Sequence, residues 1–269
     1  MRSVLDSCLR KAPLFALTVF AFSVAGCKGE DAGSGLEEIS EEIFPSSADV
    51  TVSITNTDGS IRVYGADTNE IKIQIIKKAF SEERLKQIVA HITNDRSRFS
   101  VTTTYPPRPE GLSLRDRSGT VDYNVVVPQT CALAKIELAN GEVLVDGMRG
   151  APVNASLVNG RIAGKNCFAE THFKVVNGGL DLFYDWWEKR RFSLVVEADN
   201  ANLRASIPSD ASFRFQASTQ TGNIADGFAE KSERNRGGIR SVDVTIGSDP
   251  ETEIQMRTTS GNVRLDQAY

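Results

Sequence analysis

Positive charge is in short supply: 31 lysines and arginines face 35 aspartates and glutamates, a formal net charge of −4. Nucleic-acid binders carry a basic domain or stripe, so that class of partner is excluded. Aromatic residues make up only 7% of the chain, too few for the stacking platforms that hold single-stranded nucleic acid. The histidines, His91 on the flank of an expected helix and His172 in a polar column, share no motif with each other or with the cysteines. Both are expected at the surface rather than on a metal. Also missing are a P-loop, a dinucleotide fingerprint, a Gly-x-Ser-x-Gly elbow and calcium-binding glycine–aspartate nonapeptides. No catalytic residue, metal or cofactor is expected.

Long apolar runs are scarce too. The extended one, Leu14 to Val24, follows Arg2, Arg10 and Lys11 and leads into Ala25-Gly26-Cys27. That order is a secretory signal, and the run is too short to span a bilayer comfortably. Val24-Ala25-Gly26-Cys27 resembles the lipobox of bacterial lipoproteins. The resemblance implies cleavage before Cys27 and acylation of its thiol with chains such as palmitate. Each buried methylene contributes about 0.8 kcal/mol to such an anchor. Lys28 after the cysteine implies the outer membrane, where the organism has one. The expected layout is a signal peptide over 1–26, a flexible Gly/Ser/acid tether over 27–36 and one repeat domain over 37–269.

What the chain does have is a recurring phrase, a polar turn ending in glycine. It appears at Asp58-Gly59, Asn140-Gly141, Asn159-Gly160, Asn177-Gly178, Thr221-Gly222 and Ser260-Gly261, with a worn copy at Asn200-Ala201. A spacing of about twenty residues predicts a stacked, solenoid-like β architecture. Aligning the copies on the glycine sharpens this. Two positions after it stand Ile61, Val143, Ile162, Leu180, Leu203, Ile224 and Val263. Five before stand Ile54, Ile136, Ala155, Phe173, Val196, Ala217 and Met256. The columns four after and seven before, the latter including Ala134, are mostly apolar. Period-two burial on both sides predicts strand, corner, strand, with copies stacked so that the columns become continuous ladders. The glycines then mark corners of a stack and not hairpin tips.

Outside the repeats, Leu36 to Phe44 alternates weakly and predicts an edge strand before Pro45. Ser81 as cap, then Leu85, Ile88, Val89 and Ile92 on one face, predict a helix over 81–92. Val242, Val244 and Ile246 predict a further degenerate copy in the gap before Gly261, and residues 229–238 read as a loop.

Several phrases together resemble the bacterial putative-adhesin family, the domain-of-unknown-function 4097 β-strand repeat proteins. They are Thr57-Asp58-Gly59-Ser60-Ile61-Arg62-Val63, the helical stretch after Lys77-Lys78-Ala79, Val125-Val126-Val127-Pro128 and the Asn-Gly corners. Leu203-Arg204-Ala205-Ser206-Ile207-Pro208 and Ala211-Ser212-Phe213-Arg214-Phe215 complete the match, over roughly residues 40–266. The resemblance implies an all-β, solenoid-like fold of single-stranded β-helix type on an exported, membrane-anchored protein. It implies no enzymatic activity and carries over no functional residue.

An enzyme on such a fold needs paired carboxylates on one outer face. The outward column three after the glycine holds Arg62, Leu144, Ala163, Asp181, Arg204, Ala225 and Arg264. Its one acid, Asp181, is expected to pair with Arg204. Cys131 and Cys167 stand with one full copy, that of Gly160, between them. At about 4.8 Å per rung they are two rungs, roughly 9–10 Å, apart, too far for a disulfide, so two buried free thiols are expected. The segment Tyr184-Asp185-Trp186-Trp187-Glu188-Lys189-Arg190-Arg191 departs from the repeat pattern. Trp186, Trp187, Lys189, Arg190 and Arg191 form the candidate surface for a glycan, a partner protein or lipid headgroups. Trp186 is the tryptophan expected to cap the core. The reading is a non-catalytic cell-envelope lipoprotein acting as an adhesin-like binding or scaffold module. The alternatives are a carbohydrate-active β-helix enzyme and a regulatory envelope lipoprotein that binds a protein partner.

Overall fold

The structure, a computed structural model, describes residues 35–95, 97–107, 119–228 and 234–268. The signal peptide, Cys27 and nearly all of the tether lie outside these residues. The described chain is nearly all β, with one short helix. Its first part comprises β1 (Leu36–Pro45), β2 (Thr51–Ala66), β3 (Glu70–Ala79), α1 (Glu82–Gln87), β4 (Val89–Asn94), β5 (Arg98–Thr104) and β6 (Thr120–Pro128). Then come β7 (Ala132–Asp146), β8 (Val153–Lys165), β9 (Thr171–Phe183) and β10 (Ser193–Pro208). The last part comprises β11 (Phe213–Thr221), β12 (Ile224–Asp226), β13 (Arg234–Arg236), β14 (Ile239–Ile246), β15 (Glu253–Ser260) and β16 (Val263–Ala268).

The Asn-Gly phrases sit in the middle of long strands. β2, β7, β8, β9 and β10 run parallel in one sheet, and Gly59, Gly141, Gly160, Gly178 and Ala201 fall opposite one another in register. Burial explains the corner. Inward residues alternate up to Leu157 on β8, four outward residues follow, and alternation resumes at Ile162. Leu157 and Ile162 are an odd number of residues apart, so simple pleating would put them on opposite faces. The corner resets the phase. Gly160 does this at φ 135°, a conformation that side-chain-bearing residues avoid. A Cβ there would also stand 1.9 Å from the carbonyl oxygen of Gly141. The same near-contact links Gly178 to Gly160 and Gly141 to Gly59.

Both arms of each bent strand deliver side chains to one core, including Ile54, Ile136, Phe173, Val196 and Met256 before the corners and Ile61, Val143, Ile162, Leu180 and Leu203 after them. Gly164 makes room within it, since a Cβ there would meet the Phe173 ring at 2.5 Å. The connections between strands add Cys131, Met148, Cys167, Phe168, Tyr184 and Phe192 to the same core. They also bond to each other: Phe168 N–H donates to Met148 O and Asn166 N–H to Phe183 O, both 2.9 Å. One column differs from expectation. A bulge in β7 turns Leu133 inward and leaves Ala134 exposed, because the extra residue shifts the pleat by one.

The sheet is open, running from β1 at one end to β13 at the other. Four expectations are corrected. The helix stops at Gln87, and Ile88 is already extended; β4 takes residues 89–94 and pairs antiparallel with β5. The β-branched Val89, Ile92 and Thr93 beside an available strand edge favour the ladder over a continued helix. His91 is therefore an exposed strand residue and not a helix-flank one. Residues 239–246 are no further copy: β14 turns back antiparallel along β11, and β13 pairs with it across a Gly237-Gly238 turn. Residues 234–236 are accordingly strand rather than loop. The copy around Gly261 then enters between its predecessors, with β15–β16 parallel to β10 on one side and to β11–β12 on the other. The long gap before Gly261 is thus a detour along the sheet edge.

Candidate functional site

The outward corners carry polar chemistry in series. Asn140 Nδ2 donates to Asp58 Oδ1 at 2.9 Å, Asn159 to Asn140 at 2.9 Å, Asn177 to Asn159 at 3.0 Å and Asn200 to Asn177 at 3.2 Å. These residues satisfy one another, which assigns them to structure.

The outward acids are likewise engaged. Asp181 lies beside Arg204 in register, yet its carboxylate takes Arg161 at 2.6 Å, while Arg204 reaches Asp266 at 2.7 Å. The expected Asp181–Arg204 pair is replaced by two others, each reaching diagonally across neighbouring strands. Burial alone would push the Asp266 carboxyl up, but hydrogen bonds from Arg264 and Arg204 outweigh it and hold the group below its ordinary value. At the end of β9, Asn166 and Lys165 hold Asp185 low. Nearby Asp146 is pushed up by burial, against the pull of Lys165 and with repulsion from Asp185.

The departure from the repeat lies between β9 and β10. Tyr184 is buried and its hydroxyl donates to Cys167 O at 2.8 Å. Trp187 packs into an aromatic cluster, its ring centroid 5.5 Å from Tyr184, 5.5 Å from Phe192 and 5.4 Å from Phe213. Trp186 is 44% exposed and, among the described residues, meets the cluster through Phe168. The expected capping role thus belongs to Trp187 and not to Trp186. The reason is local: Tyr184 points inward, and the turn after β9 brings Trp187 back over the core while Trp186 swings out.

Glu188 organises the outer layer. It pairs with Arg149, accepts from Trp186 Nε1 at 3.2 Å and lies 3.7 Å from Arg190. The Arg149 guanidinium in turn sits over the Phe168 ring at 5.5 Å. Trp187, Lys189 and Arg190 line a cleft of about 230 Å³ with Ser212, Ser248, Asp249, Glu251 and Thr252. Trp186 and Arg191 are not part of its lining. Its hydroxyls, carboxylates, cations and indole form a mixed donor–acceptor surface suited to a small polyol. The serines and acids of 248–252 carry no motif; the pairing of β14 with β11 and of β15 with β10 and β11 brings them here.

Cys131 and Cys167 are buried and unpaired, and burial pushes both thiols to about 12. They lie in the connections before β7 and before β9, with the Met148 connection between. No group of three or more His, Cys, Asp or Glu residues is placed to hold a metal among the described residues. His172 Nε2 lies 3.3 Å from Glu197, exposed.

No family model matches the chain, and no curated protein does. Among solved structures, the chain is similar to a putative cell adhesion protein from Clostridium sporogenes, at 14% identity over 87% of this chain and 100% of that one, with a TM-score of 0.49. It is also similar to a putative adhesin from Bacteroides fragilis, at 6% identity over 85% and 97% with a TM-score of 0.26. A putative lipid binding protein from Parabacteroides distasonis follows at 10% identity over 84% and 96%, with a TM-score of 0.27.

Proposed function

We propose that the protein is a non-catalytic cell-envelope lipoprotein, an adhesin-like binding module on a solenoid-like stack of the β-strand repeat type. The observation that carries this reading is the interruption at 184–192. An otherwise regular stack departs from its pattern to build one mixed-polarity cleft beside Trp187. The ion-paired outward acids support it, since Asp181, Asp243 and Asp266 each sit on an arginine. A glycan of the envelope is the ligand class that the cleft lining suits. Lys189→Ala with Arg190→Ala should lower binding to envelope glycan at least tenfold with the melting temperature unchanged. Unchanged binding by a folded variant overturns the site.

Anchoring at Cys27 is the second part of the proposal. From Cys27 to the start of β1 the chain reaches at most roughly 30 Å when fully extended. The binding module would therefore stand close to its membrane. Cys27→Ser should abolish incorporation of labelled palmitate and release the protein from the membrane fraction.

One observation favours the enzyme alternative: Asp146 is raised and Asp185 lowered across Lys165, the split that acid–base pairs show. Lys165 holds Asp185 at 3.0 Å, which makes a structural ion-pair group the better reading. Release of reducing sugar from envelope polysaccharide, lost in Asp146→Asn, would reverse that choice.

A further inference from the structure

The sheet has two ends. At one stands β13, Arg234–Arg236 among the described residues. At the other end stands β1, which pairs with β3 at all ten positions and has no partner on its second edge among the described residues. Both faces of β1 are open to solvent, and only Phe44 is half-buried, against Phe99. Ile39 and Ile43 are 51% and 57% exposed. Such a long edge, in unbroken register with β3 and bearing apolar side chains, is a template for strand addition.

Its charge says which strand would be accepted. β1 carries Glu37, Glu38, Glu41 and Glu42 and no lysine or arginine. Glu38 takes Lys77 at 2.8 Å and Glu41 accepts from Gln74 at 2.6 Å. Glu37 and Glu42 make no ion pair within 4 Å among the described residues. A second copy of β1 would bring four more glutamates against these, and like charges across a ladder are destabilising. The strand that β1 does pair with, β3, carries Lys72, Lys77 and Lys78 among its isoleucines.

We propose that the free edge of β1 accepts an extended, lysine- or arginine-bearing segment of another protein by strand addition. Backbone hydrogen bonds would supply the affinity, and Glu37, Glu41 and Glu42 the choice of partner. This is a separate surface from the cleft beside Trp187.

The test uses the full mature lipoprotein in detergent and a fluorescent peptide with the sequence of β3, Glu70–Ala79, as probe. Saturable binding is expected. It should weaken at least tenfold when the peptide lysines become glutamates, and disappear when the peptide nitrogens are methylated so that neither edge can donate. The triple variant Glu37→Lys, Glu41→Lys, Glu42→Lys should lose the cationic peptide and take the acidic one. If that variant does not fold, the methylated and acidic peptides on the unaltered protein decide alone. Equal affinity for the cationic and acidic peptides, or indifference to methylation, would overturn the proposal. So would a concentration-dependent dimer of the free protein at neutral pH, which would make a second copy the occupant.

Discussion

The early corners, from β7 to β9, and the late corners, in β11–β12 and β15–β16, solve one problem in two ways. Early corners place asparagine just before the glycine, and its side chain bonds to the next side chain in a ladder. The strand remains continuous through the bend. Late corners place asparagine just after the glycine. Asn202 Oδ1 accepts from Asn262 N–H and Asn262 Oδ1 from Asn223 N–H, both at 2.9 Å, and the strand breaks at the bend. β10 carries both, Asn200 facing the early ladder and Asn202 the late one. The buried position three before the corner changes as well. It is Leu138, Leu157 and Val175 early but Thr219 and Thr258 late, whose hydroxyls donate to the corner carbonyls of Gly261 and Ala201. Where asparagine satisfies a backbone amide, a buried threonine serves the carbonyl. The glycine geometry is common to both solutions, and the polar wiring is what differs.

The largest way to break the comparison is at the shared element. Gly160→Ala forces a Cβ into the Gly141 carbonyl at a positive φ and should cost about 3 kcal/mol or more in denaturant melts, or prevent folding. Gly179→Ala, one residue past a corner, meets only Asn202 O at 3.8 Å and should be nearly neutral. A similar loss in both would mean that the corners do not depend on glycine geometry.

The two wirings separate at the next level. Asn159→Asp removes the donor that faces Asn140 and sets a carboxylate against its carbonyl, so stability should fall by about 1–2 kcal/mol. Asn262→Asp keeps the oxygen that accepts from Asn223 N–H and should cost less than about 0.5 kcal/mol. Equal costs would erase the distinction between early and late corners.

The smallest of the three contrasts is at the pair linking β10 to β16. Asp266 titrates below its ordinary value when folded, so its contribution is present above the unfolded-state value near 4 and fades as pH falls through the folded one. Asp266→Asn should cost about 0.5 kcal/mol at neutral pH, the scale of a solvent-facing pair. The difference from the unaltered protein should shrink as urea melts are repeated below about pH 4. A pH-independent difference would point to packing rather than charge.

Much of this fold was legible, because the corner glycine gives an origin from which burial can be counted. Ile61, Val143, Ile162 and their equivalents are buried as their spacing requires. Legibility failed where pairing overrode local pattern. Nothing in Val89 to Asn94 marks β5 as a neighbour, so a helical spacing runs on through a strand. Val242, Val244 and Ile246 alternate as any strand would, and alternation does not record direction. The bulge at Ala134 moves the count by one without changing the residue types. The candidate surface was legible as an interruption of the repeat, with Trp187, Lys189 and Arg190 in its cleft. Ser248 to Thr252 could not be foreseen there, because the strand insertion that delivers them leaves no local signal.

That insertion sets an order of events. β15–β16 follows β11–β12 in the chain but separates it from β10 in space. When residues 213–226 emerge from the ribosome, the neighbour they need is still to come. Any pairing of β11 with β10 at that moment would be an error, to be undone when residues 253–268 arrive. The hairpin of β11 with β14 offers a waiting state, since it engages β11 on its far side and leaves the near side free. The late segment then acts as a wedge. A chain cut at residue 250 should hold β10 and β11 either mispaired or open, and be cleaved faster by added protease than the whole chain.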